Sequence, residues 1–190
     1  ALAASAVGYN NTAGGVGSST IGYNNTATNE NASAFGYGNT AGGLASSAFG
    51  FSNTASGDNA NAFGYNNIAS GSKSNVFGTG NTVSGSSSTA VGTANEVAAE
   101  NSTAIGNNNT ISSGAENSAA LGNNISISLK DSVALGNNST ATAINSVTGN
   151  SSYTKWAGVS DVVGVVSVGS SGATRQIQNV AAGQVSATST

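Results

Sequence analysis

The sequence predicts an all-β fold, a parallel β-solenoid built from coils of 14 residues. Three observations carry this prediction. The first is a glycine in near-strict register: Gly8, Gly22, Gly36, Gly50, Gly64, Gly78, Gly92, Gly106, Gly122 and Gly136, at seven steps of 14 residues, then one of 16, then one of 14. The second is the pair before each glycine. An apolar residue stands immediately before it (Val7, Ile21, Phe35, Phe49, Phe63, Phe77, Val91, Ile105, Leu121, Leu135), and a small one, usually alanine, before that. The third is an asparagine three residues after the glycine in eight of the ten coils, with a small or aliphatic residue (Ala13 through Ala141) two further on.

A 14-residue unit is too short for a helical pair, which needs roughly 30 residues. It holds two short strands and two tight turns. The phrase SAFGYGNTAGG, Ser33 to Gly43, shows the order: a strand over SAFGY, a corner at Gly and Asn, then a second short strand. Gly and Asn tolerate the positive φ that such corners require. Coils stacked at about 4.8 Å make a rod on the order of 50 Å long. The two extra residues between Gly106 and Gly122 belong in a bulged turn near Ser113–Glu116. A turn absorbs them, whereas a strand would flip its faces.

The asparagine column (Asn11, Asn25, Asn39, Asn53, Asn67, Asn81, Asn95, Asn109) has two readings. One is a ladder of side-chain hydrogen bonds along the stack. The other is an array of glycan acceptors, since NNT at Asn10 and Asn24 matches the N-glycosylation pattern. A repeat rich in Asn and Thr produces that match trivially, so the ladder is preferred.

Side chains alternate across a strand. In SAFGY, Ala34 and Gly36 share one face, and Phe35 and Tyr37 the other. In TASG, Ala55 and Gly57 share one face, and Thr54 and Ser56 the other. Placing the small residues of both strands inside the tube leaves a stripe of Val, Ile, Phe and Leu outside. Such a stripe is too continuous for a soluble monomer and calls for other copies of the chain. A competing arrangement turns Phe35 and its equivalents inward against Ala41 and its equivalents. The outward arrangement is preferred.

Composition excludes several functions. The 190 residues include 4 basic and 7 acidic ones, for a net charge of −3. No basic patch suits a nucleic acid. Without Cys there is no disulfide framework or thiolate metal site, and without His the commonest general base and metal ligand are missing. No apolar run approaches the roughly 20 residues of a membrane span, and no signal peptide is visible. The chain begins inside a repeat-like phrase and is expected to be part of something longer.

The phrase S-A-[FVI]-G-x-N-N-T-A-x-G resembles the head repeats of trimeric autotransporter adhesins, the YadA-like family. A second resemblance lies in VSVGSSGATRQIQNVAAG, Val166 to Gly183, which is similar to the neck of the same family. Arg175, Gln176, Ile177, Asn179 and Val180 stand in that neck motif. The resemblance implies a homotrimer of left-handed parallel β-rolls on a bacterial surface. It also implies a neck leading to a stalk, and an outer-membrane β-barrel anchor beyond this chain. The expected organisation is a head of about ten coils over 1–141, an insertion over 142–164, and the neck over 165–190.

Two departures from the family pattern stand out. The outward column is Phe in four successive coils and is followed by an aromatic residue in five (Tyr9, Tyr23, Tyr37, Phe51, Tyr65). The segment Thr142 to Gly164 is not repetitive and holds the only Trp. Trp156 is expected as a buried anchor at a subunit junction rather than a ligand-binding aromatic. Arg175 is expected to bond carbonyls or an acid of another chain. The aromatic column is expected at an interface.

Catalytic chemistry is not expected. The acids Glu30, Asp58, Glu96, Glu100, Glu116, Asp131 and Asp161 are read as sharing no column, and a Ser-His-Asp arrangement is impossible without His. Calcium-binding rolls repeat Gly-x-Asp, and SGDN at Asp58 is a lone match. Ice binding through the Thr column is disfavoured, because Ile68 and Glu96 break it. No cofactor or metal is expected, and no ligand-binding residue is assigned. The expected function is adhesion, to host extracellular-matrix protein, host cells or other bacteria. The runner-up is a structural spacer that displays another binding domain.

Overall fold

A computed structural model describes residues 2–144 and 162–179. One coil shows how the rest are built. Ser33–Tyr37 is a five-residue strand, Gly38 and Asn39 turn the first corner, and Thr40–Ala41 is a two-residue strand. A second corner, residues 42–46, leads into the next long strand, Ser47–Phe51. Successive long strands pair in parallel, Phe35 opposite Phe49 and Gly36 opposite Gly50. The short strands do the same, Thr40 opposite Thr54. The described residues form one sheet of 11 long-side strands and one of 10 short-side strands, each ordered coil by coil. This is the parallel β-solenoid of about ten turns that the glycine period predicts.

The tube is narrow, and its contents are small. Ala34, Ala41, Ala48, Ala55 and Ala62 are fully buried, as are Asn39 and Asn53. Larger aliphatics enter from the middle of the roll onward, at Val76, Val83, Val97, Ile111, Ile125 and Ile127. The outward column is outside: Val7 is 58% exposed, Ile105 44% and Leu135 36%, with Phe35, Phe49 and Phe63 half-buried. The arrangement with Phe35 inside the tube is thereby excluded.

The repeat glycines are not where strand alternation puts them. Gly36, Gly50 and Gly64 are exposed and Gly92 half-buried, so they do not fill the tube beside Ala34. Each lies at positive φ, +119° at Gly36 and +126° at Gly92, where only glycine is at ease. The φ reversal breaks the strand's parity. A Cβ built on Gly36 would fall 2.1 Å from the carbonyl oxygen of Gly50 in the next coil. The glycine is required by backbone conformation and by close approach of the next coil, not by a crowded interior.

The 16-residue step lands in the second corner as expected. Thr103–Asn107 pairs with Ala119–Asn123, Ile105 opposite Leu121, with both strands intact. The extra residues are taken up between Ser112 and Ser118, where Ala115 donates its N–H to the Ser112 carbonyl at 2.9 Å. Beyond residue 144 the repeat register resumes late. Val166–Ser167 adds the last strand of the long sheet, with Val166 opposite Val133 and Ser167 opposite Ala134. The VSVG run therefore continues the roll.

The two kinds of corner glycine should respond differently to substitution. Gly92→Val places a Cβ 1.9 Å from the Gly106 carbonyl oxygen at φ +126°. It should destabilise the chain by about 3 kcal/mol or more. Gly38 has φ +64° and nothing within 4 Å of its Cβ position. Asn holds the same corner at Asn24 and Asn66, so Gly38→Asn should shift stability by less than about 1 kcal/mol. Denaturation midpoints check both, and similar losses for the two would refute the assignment.

Candidate functional site

The site begins inside the tube, because the interior decides what faces out. Asn39 is fully buried, and every polar atom of its side chain is used. Its Nδ2 points at Asn25 Oδ1 (3.0 Å), at the Phe35 carbonyl of its own coil (2.9 Å), and at the Gly50 carbonyl of the next coil (2.7 Å). Its Oδ1 accepts from the backbone N–H and the Nδ2 of Asn53, both at 3.0 Å. The same bonds recur through Asn109. This is the predicted ladder. A second one runs in the C-terminal half of the roll, where the buried hydroxyls of Ser88, Ser102, Ser118 and Ser132 accept the backbone N–H groups of Ser102, Ser118, Ser132 and Val165.

Three columns of the long sheet face outward. The first is Ser, Asn or Thr as far as Thr103 and then Ala119 and Val133, the second is the apolar column, and the third is the residue after the glycine. None carries a charge. Aromatic rings stack along both of the latter two. Tyr23 and Tyr37 lie 5.0 Å apart at 6°, Tyr37 and Phe51 4.8 Å apart at 5°, and Phe49 and Phe63 4.9 Å apart at 8°. Each ring covers the face of its neighbour and presents mainly its edge. Towards the C-terminal end the third column becomes polar, and Asn107, Asn123 and Asn137 form an outer ladder with Nδ2–Oδ1 distances of 2.7 and 3.0 Å.

The acids are not scattered as the sequence analysis expects. Counted back from the following glycine, Glu30, Asp58, Glu100 and Glu116 occupy one column at the second corner. The N–H groups of Ala45, Lys73, Asn117 and Asp131 bond to their carbonyls, one coil to the next. Lys130 continues that column, while Lys73 and Asp131 lie one residue further on. Counted from the preceding glycine, Glu30, Asp58 and Glu100 still share a position, and the two-residue insertion displaces only Glu116. The charges of residues 2–144 gather at the second corner, with Glu96 on the short sheet the exception. No group of three or more metal-ligating side chains occurs among the described residues.

The predicted site residues fall into three sets. Val7, Ile21, Phe35, Phe49, Phe63, Phe77, Val91, Ile105, Leu121 and Leu135 are brought together as one outward column. Trp156 and Val180 lie outside the described residues. Gln176, Ile177 and Asn179 are exposed, Ile177 at 69%. Arg175 bonds carbonyls of its own chain, and these partners were not legible in the sequence. Its guanidinium donates to the Val168 carbonyl at 2.7 Å, to Ser139 Oγ at 3.2 Å, and to the Asn137 carbonyl. Ser139 holds the ladder position of the last coil, so Arg175 closes the end of the polar column.

Stacked coils, a hydrogen-bonded polar spine and one uncharged outward face define a solenoid module that offers a repeated surface. The YadA head domain repeat matches residues 13–39, 41–67, 84–109 and 130–147, just over half of the chain. The chain belongs to that family and is an adhesin-like head. No curated relative matches it.

Two predictions test the polar spine. Asn67 Nδ2 serves Asn53 Oδ1, Phe63 O and Gly78 O at 3.0, 3.1 and 2.7 Å. Asn67→Asp turns a buried donor into an acceptor among acceptors and should cost about 3 kcal/mol. Asn67→Ile should cost less than Asn67→Asp, because Ile125 already occupies the equivalent slot. Urea midpoints give the order, and an Asp variant as stable as the parent would refute the ladder. Arg175→Gln should speed amide exchange at Val133–Leu135 and at residues 166–169 about tenfold, from the loss of roughly 1.5 kcal/mol of hydrogen bonding. Exchange at Ser33–Tyr37 should not change.

Proposed function

We propose that this chain is the head and neck of a trimeric autotransporter adhesin, displayed on a bacterial surface. The head spans 1–141, the neck 165–190, and 142–164 is an insertion between them. One observation carries the assembly: the uncharged outward face of the long sheet. Its apolar column stays 36–58% exposed wherever it is most open, along the whole stack. A soluble monomer does not leave so continuous a stripe in water. Covering it with two further copies buries Val7 through Leu135, and the charged second corner stays wet. Trp156 and the neck residues Arg175, Gln176, Ile177, Asn179 and Val180 complete the subunit junction in this reading. The aromatic columns then lie between subunits, so they are interface and not ligand platform.

The partners are host extracellular-matrix proteins, host cell-surface receptors or other bacteria. Binding works by multiplicity. A trimer offers one surface three times, and the coils repeat it along the rod, so weak contacts add. The sparse charge argues that attachment does not depend on strong electrostatic steering. The remainder of the protein would tether the head through an outer-membrane barrel.

Sedimentation of the purified chain should give three times the monomer mass. Phe49 stacks against Phe35 at 4.7 Å and Phe63 at 4.9 Å within the outward column. Phe49→Asp should weaken association by about 2 kcal/mol or more per subunit. Thr54→Asp, on the short sheet, should leave the mass unchanged. A stable soluble monomer of the unmodified chain would overturn the trimer. A panel of matrix proteins, host cells and bacterial cells tests adhesion. Retention on none of them, with the full-length protein still adhesive, would make the module a spacer.

A further inference from the structure

The structure separates two sets of asparagines that sit side by side in the sequence. The ladder residues, Asn11 through Asn109, turn into the tube. Each is followed two positions later by a core residue such as Ala27, Ala41 or Val83, so none can head an Asn-x-Ser/Thr triplet. Asn150 also heads such a triplet and lies outside the described residues; the described asparagines that head them are not ladder residues. Asn10, Asn24, Asn108, Asn124 and Asn138 stand at the first corner, and Asn31 and Asn101 at the second. All seven are exposed, with φ between 51° and 59°, outside any strand. Their triplet hydroxyls, such as Thr26, Thr110, Ser126 and Thr140, lie on the outer side of the roll and are exposed or half-buried. Asn137 also heads a triplet, but its hydroxyl, on Ser139, is buried and bonded to the Leu135 carbonyl and Arg175.

We propose that these corner asparagines are acceptors for N-linked sugars. The co-substrate is a sugar whose anomeric carbon carries a diphosphate leaving group, supplied with a separate transferase. The side-chain amide nitrogen attacks the anomeric carbon, and a C–N bond forms as the C–O bond to phosphate breaks. The diphosphate leaves with the bonding pair, and a base of the transferase takes the amide proton. The nucleophile must be available. Asn10 Nδ2 donates to Asn24 Oδ1 at 2.7 Å, and Asn108 Nδ2 to Asn124 Oδ1 at 3.0 Å. The first member of each pair is therefore engaged. Asn24, Asn31, Asn101, Asn124 and Asn138 donate no side-chain hydrogen bond among the described contacts. They are the preferred sites.

The roll has a physical use for such sugars. With 11 charged residues in 190, most of them gathered at the second corner, the first corner has no charge to hold water. A glycan there is bulky, hydrated and confined to the surface. The corner columns project from the edges of the coil, so modification leaves the ladder and the core untouched. The inference does not depend on the trimer.

The test is peptide mapping by mass spectrometry of the chain recovered from the surface of cells that make it. The expected result is sugar on the five preferred asparagines, less on Asn10 and Asn108, and none on ladder residues such as Asn25 and Asn109. A single sugar per site marks a nucleotide-linked donor, and a fixed oligosaccharide block marks a lipid-linked one. Thr26→Ala should abolish modification at Asn24 with no change at Asn124 or in the melting temperature. Absence of sugar from all seven asparagines would overturn the proposal, as would sugar confined to Ser and Thr hydroxyls or persistence at Asn24 in the Thr26→Ala variant.

Discussion

The structure depends on one coupling, between a glycine and the asparagine three residues later. Gly50 sends its carbonyl oxygen into the space where a Cβ of Gly36 would be, and there Asn39 Nδ2 meets it at 2.7 Å. The glycine is therefore needed twice, once for its positive φ and once for its missing side chain. The asparagine is needed because a carbonyl driven into the corner is buried and must be satisfied. The last coils show what happens when one half is removed. Ile125 replaces the asparagine and Gly136 loses its donor, so its carbonyl accepts from the N–H of Ser139 at 3.3 Å instead. The long strand of that coil then shortens from five residues to three, Val133–Leu135. Arg175 takes up the loose end, with its guanidinium against Gly136 and bonded to Ser139 Oγ.

The coupling also explains why the large side chains are outside. A corner this tight closes a tube that admits alanine, serine, asparagine and an occasional valine or isoleucine. Phenylalanine has nowhere to go but outward. Most of the chain's large apolar surface is thereby excluded from its own core. What holds a single chain together is mainly the ladder of backbone and amide hydrogen bonds, each of modest net worth but expensive to leave unmade. In the proposed assembly, the apolar contribution that a globular domain draws from its interior comes from contact between chains, and association is then part of the folding energetics.

Much of this was legible in the sequence, and the residues that were not share a cause. Period, strand order and the inside position of Ala34 and Ala41 follow from spacing and alternation, and the ladder from Asn recurring where a corner must be pinned. The glycine misled because alternation assumes negative φ, and Gly36 reverses it. Glu30, Asp58 and Glu100 each stand eight residues after a repeat glycine, so their column was open to counting; only Glu116, ten after Gly106, is displaced by the two inserted residues. Arg175 sits 36 residues from Ser139, across a non-repetitive segment, and no periodicity predicts that contact. Local rules held for the period, the strand order and the ladder. They failed at the backbone sign change in each coil and at the end of the stack.

The cross-section assigns different chemistry to each of its sides, and repetition turns each into a line along the rod. The long sheet carries no charge, and its apolar and aromatic columns stand among Ser, Asn and Thr. The second corner carries most of the charge, from Glu30 to Asp131, and must stay in water. The first corner carries Asn, Gly, Ser and, at Ala94, Ala at positive φ, with neither charge nor bulk. The short sheet shows Thr and Ser interrupted by Ile68 and Glu96, too irregular for a lattice match. A change in one coil alters one step of one line, and the hydrogen-bonded register holds the steps beside it in place. Coils can therefore vary their outward residues freely, as the passage from Tyr65 through Thr79 and Thr93 to Asn107 shows, provided Gly and Asn keep their places. A repeated surface gains from that separation of constraint and display.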